Sequence, residues 1–120
     1  MPMKISILIL GCLAFASSAF AQAGTNSTLA WDQPNTTATE ANTYTFRMYP
    51  DGSATGTVLA GVTCSGAAPV VCLVPFPAFT PGSHTLQLTA GNVAGESAKS
   101  AAFAFTFVVV PSIPTAIRIQ

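Results

Sequence analysis

Between Thr43 and Tyr49, and again between His84 and Ala90, apolar and polar side chains alternate nearly one for one. A period of two fits a pleated strand with one buried face, whereas the apolar stripe of a helix needs spacings of three and four. The first run sets Tyr44, Phe46 and Met48 on one face and Thr43, Thr45, Arg47 and Tyr49 on the other. The second gathers His84, Leu86, Leu88 and Ala90. Phe103, Phe105 and Phe107 repeat the pattern in a last strand expected over 101–110. Shorter strands are expected at 27–31, 57–59, 62–64 and 70–74, where Leu29 and Trp31 share a face. Gly, Pro, Asn and Asp punctuate these runs. Pro50-Asp51-Gly52, 65–69 and 92–97 read as turns, 35–42 as a polar loop and the proline-rich 76–82 as a corner, with no helix after residue 25. Short strands at this spacing predict an all-β fold, a single two-sheet sandwich.

The first residues carry a different pattern. Lys4 supplies one positive charge, Ile5 to Phe15 an apolar core, and Ala19-Phe20-Ala21 the small-x-small site of a signal peptidase. We read 1–21 as a signal peptide helix cleaved after Ala21, with a second register after Ala23. An uncleaved anchor would need about 20 strongly apolar residues, and the later half of this segment is rich in Ala and Ser. A lipidated Cys12 would follow too short an apolar stretch. The expected location is therefore secreted, extracellular or periplasmic, with no membrane segment after cleavage.

Beyond residue 21 the chain has three basic side chains (Arg47, Lys99, Arg118) and four acidic ones (Asp32, Glu40, Asp51, Glu96), a net charge of −1. No basic stripe exists to neutralise phosphates, so nucleic acid is not an expected partner. Two cysteines remain, Cys64 and Cys72, and an oxidising compartment favours their pairing in a disulfide over two free thiols. They cannot fill a zinc shell with the single distant His84. Catalysis needs titratable groups brought together, and one histidine with four scattered carboxylates predicts no enzyme, no metal and no cofactor. Arg47, Tyr49 and the 51–56 loop form either an exposed recognition patch or an ordinary outward strand face. Asn26 and Asn35 stand in glycosylation-type triplets.

Leu29-Ala30-Trp31-Asp32-Gln33-Pro34 resembles the second-strand signature of fibronectin type III domains, and residues 80–97 resemble their sixth strand and the turn that follows it. The resemblance covers about residues 27–110 and implies an immunoglobulin-like Greek-key sandwich over 22–110. It implies that Trp31, Tyr44, Phe46, Leu86 and Leu88 are core residues, joined by Leu29 and Phe105 from the alternation. It also implies a non-catalytic module for adhesion or for binding a protein or glycan at or outside the cell envelope.

Three features depart from the family. His84 stands where the family commonly has a corner tyrosine, and its ring N–H is expected to reach a backbone carbonyl instead. The Cys64/Cys72 pair is not a family hallmark. The first strand is expected to be missing, while the tail 111–120 looks like the lead-in and first strand of a following domain. Thr115, Ile117 and Ile119 are therefore candidates for an interaction strand that adds to the edge of a neighbouring copy, giving a head-to-tail surface fibre as the alternative function. An unstructured tail, a tail docked on its own sheet and a fragment of a longer gene are the competing readings.

Overall fold

A computed structural model describes residues 21–120. The signal peptide expected over 1–21 lies outside the described residues except for Ala21. Nine strands and one short helix follow in order: β1 Ala21–Ala23, β2 Thr28–Gln33, α1 Ala38–Ala41, β3 Thr45–Pro50, β4 Thr57–Val58, β5 Thr63–Ser65, β6 Val70–Pro75, β7 Gly82–Asn92, β8 Gly95–Glu96 and β9 Phe103–Phe107. They form two sheets, one ordered β1-β9-β7-β3-β4 with β8 paired to β7, the other β2-β6-β5. The all-β sandwich is the architecture the alternation required.

The core lies between the sheets. Leu29, Val74, Leu86, Phe105 and Phe107 form one buried cluster, and Ala41, Phe46, Cys64, Val70 and Cys72 form another. The proline-rich corner contributes aromatic packing: Phe76 and Phe79 each meet Phe105 edge-on, with ring centroids 5.1 and 5.0 Å apart. Such pairs add about 0.5–1.5 kcal/mol beyond their buried area.

Two strand boundaries shift for local reasons. Asp51 and Gly52 both take positive φ, 51° and 73°, and Ser53 N–H donates to Pro50 C=O at 2.9 Å. The turn is thus centred on Asp51-Gly52, the pairing that a two-residue turn with positive φ at both positions prefers. The last strand is five residues long, Phe103–Phe107, and Val108 N–H just beyond it donates to Ala23 C=O at 2.9 Å, the closing bond of the parallel pairing with β1.

The expected absence of a first strand needs correction. Three residues before β2 form β1, which runs parallel to β9 with Ala21 opposite Phe105 and Ala23 opposite Phe107. Ala23 is small enough to enter the core, which lets so short a strand hold. Cleavage after Ala21 keeps Gln22 and Ala23; cleavage after Ala23 removes the whole of β1. The strand covers the edge of the larger sheet and leaves β2 without a second neighbour among the described residues.

The expectation of no helix is also corrected. Thr37 caps α1 by accepting from Glu40 N–H at 3.2 Å, and its hydroxyl reaches back to Glu40 Oε1 at 3.5 Å. Thr37-Ala38-Thr39-Glu40 is a capping-box spacing that marked this turn within a polar stretch.

Candidate strand-binding cleft

Hydrogen-bond phase decides which groups of β2 are free. Phe76 N–H donates to Ser27 C=O, and Thr28 faces Pro75, which has no N–H to give. Bonded pairs therefore fall on odd residues, so the N–H and C=O groups of Thr28, Ala30 and Asp32 point away from β6 toward the open edge. The same phase sends the side chains of Leu29 and Trp31 inward and leaves Thr28, Ala30 and Asp32 exposed.

Alongside this edge, between the two sheets, lies a cleft of about 740 Å³ that runs the full length of β2. Trp31, Leu88 and Phe103 contribute to its wall, with Gln22 and Ser100 at its rim. Its presence accounts for the burial of the expected core residues. Leu29, Phe46, Leu86 and Phe105 are buried, whereas Trp31 and Leu88 are only partly buried because no strand among the described residues covers the space they face. Phe103 is 45% exposed and stacks on Phe105 at 5.9 Å instead of sealing the core. Trp31 Nε1 donates to Gln33 Oε1 at 3.3 Å, which keeps the indole at the cleft wall. Tyr44 is partly buried elsewhere, its hydroxyl 2.9 Å from Thr36 Oγ1.

The opposite edge of the same sheet is closed. Cys64 N–H donates to Asn42 Oδ1 at 2.8 Å, and Asn42 Nδ2 donates to Cys64 C=O at 2.9 Å. One amide side chain thus stands in for a strand residue beside β5, and Nδ2 also reaches Ala38 C=O at 2.9 Å, tying the edge to α1. Cys64 and Cys72 form a disulfide across the β5–β6 pair with their Cα atoms 4.0 Å apart. Since Cys64 spends its main-chain groups on Asn42, the two cysteines occupy a non-hydrogen-bonded position, where facing side chains are closest.

Two polar clusters lie away from the cleft. His84 Nδ1 donates to Asp51 Oδ2 at 2.8 Å and Nε2 donates to Thr80 C=O at 2.7 Å, the backbone contact anticipated for a corner residue. Bonding to Asp51, and then to Thr80, holds the imidazole pKa above its ordinary value. The bond from His84, followed by that from Thr85 N–H, holds the Asp51 carboxyl below its ordinary value. When the ring is protonated, both of its nitrogens thus have acceptors, and the Thr80 hydroxyl lies 3.3 Å from Nε2. Ser83 precedes it on the strand and points to the opposite face.

On the outer face of the larger sheet, Tyr49 and Thr89 both donate to Glu96 Oε2. These bonds, Thr89's foremost, lower the Glu96 pKa, and the bond to Glu96 raises that of the Tyr49 phenol. Lys99 Nζ lies 4.4 Å from the Tyr49 ring centroid. Tyr49 is buried under these neighbours, so the aromatic part of the patch considered with Arg47 is not presented to a partner.

The tail from Val108 to Gln120 has no regular structure. Its candidate strand residues Thr115, Ile117 and Ile119 are exposed, Ile117 at 91% and Ile119 at 99%. Among the described residues no group of His, Cys, Asp and Glu is arranged to hold a metal, and no helix is long and apolar enough to cross a membrane. No family model matches this chain, and no curated protein matches it.

Proposed function

We propose that this chain is an exported, non-catalytic fibronectin type III-like module that binds an extended polypeptide along β2, serving adhesion or protein binding at or outside the cell envelope. The observation that carries the reading is the coincidence of an unpaired strand edge with an apolar cleft of the same length. Main-chain groups of Thr28, Ala30 and Asp32 supply affinity for any added strand, and the cleft selects apolar side chains at every second position. The disulfide supports an oxidising compartment, and the signal-like N-terminus supports export. An exposed apolar patch of this kind marks an interaction surface in a folded domain.

Trp31 is the sole tryptophan and sits at the cleft wall, so its emission reports occupancy. Titration with peptides in which isoleucine alternates with threonine is expected to shift Trp31 fluorescence to the blue and to saturate. Emission that stays constant with all such peptides, while a partner is captured through the loops, contradicts the reading.

A further inference from the structure

We infer that the occupant of the cleft is the C-terminal segment of a second copy of this chain, an assignment that rests on reading the β2 edge as a strand-binding site. The tail places Ile113, Thr115, Ile117 and Ile119 on one side of an extended chain and Pro114, Ala116, Arg118 and Gln120 on the other. The three isoleucines are exposed at 85, 91 and 99%, an unusual amount of unburied apolar surface for so short a segment. Seven extended residues from Ile113 to Ile119 reach roughly 23 Å, and the six of β2 reach roughly 20 Å at about 3.3 to 3.4 Å each. Ligand and site thus match in period, polarity and length.

The donor is a neighbour because of strand direction. Val108 is bonded to Ala23, and Gly24 and Ser27 complete a tight turn into β2 through Gly24 N–H and Ser27 Oγ at 2.9 Å. The tail therefore leaves the sandwich at the end where β2 begins. A chain folding back on its own domain would have to run parallel to β2, whereas the tail of a second copy can enter antiparallel, the more stable pairing. Docking requires Ala116, now at φ 53°, to become extended, which releases the contact between Arg118 and the Ala116 carbonyl. Each copy then offers one tail and one cleft, a head-to-tail contact that propagates into chains of subunits.

The test is sedimentation of the processed chain over a hundredfold range of concentration, alongside Ile117→Asp/Ile119→Asp and Ala30→Pro. The tail variant alters only exposed side chains, and the edge variant removes an N–H that has no partner among the described residues. The wild type is expected to associate progressively, and each variant to associate at least roughly a hundredfold more weakly. Mixing the two variants should restore a complex that stops at one-to-one, since one copy retains only a tail and the other only a cleft. A wild type that stays monomeric throughout overturns the inference. Association that survives the tail variant but not Ala30→Pro overturns the occupant and leaves the cleft reading standing. Association indifferent to both variants overturns the two together.

Discussion

At the β5 edge of the smaller sheet, Asn42 occupies the main-chain groups of Cys64, a disulfide ties β5 to β6, and α1 packs alongside. At the β2 edge, three residues hold their N–H and C=O groups toward a cleft walled by Trp31, Leu88 and Phe103. An unprotected strand edge is a template for pairing with another chain, and folded domains normally cover it or blunt it with charge or bulges. This domain covers one edge and leaves the other, with only Asp32 as a charged side chain on β2. The contrast shows that the cleft is not a general looseness of a small sandwich: Asn42 bonds the free main-chain groups of β5, and no side chain among the described residues does so for β2.

The largest effect should come from removing the staple of the closed edge. Cys64→Ala/Cys72→Ala is expected to lower stability by about 2.5 kcal/mol, the chain-entropy value for so short a loop, read by urea denaturation. Asn42→Ala should cost about 2 kcal/mol by leaving the Cys64 N–H and C=O without their partner, with a matching fall in Tm. At the open edge, Ala30→Pro removes an N–H that has no partner among the described residues, so its cost should stay near 1 kcal/mol or below. If Ala30→Pro proves as damaging as Asn42→Ala, the two edges are not treated differently and the comparison fails. Smallest should be the tail variant Ile117→Asp/Ile119→Asp, within about 0.5 kcal/mol of wild type in dilute solution.

A pH series separates edge effects from the corner. The raised His84 pKa makes its contribution fully present below the unfolded value near 6.5 and lost as pH rises through the folded value. The lowered Asp51 pKa makes its contribution present above the ordinary value of 3.8 and lost as pH falls through the folded value. The pair therefore stabilises most between about pH 4 and 6.5, and the fall in Tm above that window should be absent in His84→Gln. An unchanged fall in His84→Gln would place its origin elsewhere.

The strands were legible because alternation is a local property: Thr43 to Tyr49 and His84 to Ala90 declare their buried faces within seven residues. The backbone contact of His84 was expected only from the resemblance, which sets it where a corner tyrosine commonly stands, and its partner proves to be Thr80, four residues away. The edges were not. Whether β2 is central or terminal depends on which strands settle beside it, and β1 joined β9 in the other sheet. Asn42 and Cys64 are 22 residues apart, and nothing near either residue announces the bond. The partial exposure of Trp31 and Leu88 follows from the same topology. Their spacing marks them as inward-facing, which they are, but among the described residues no layer covers them from one side. The helix α1 is the exception, a local signal in the Thr37 to Glu40 spacing set within a polar stretch.

Residue-resolved amide exchange tests the difference between the edges most directly. In dilute solution the Cys64 amide should be protected while those of Thr28, Ala30 and Asp32 exchange freely, and raising the concentration should protect these three in step with association. Protection of Ala30 already present in the dilute monomer would show that β2 has a partner within its own chain and contradict the account.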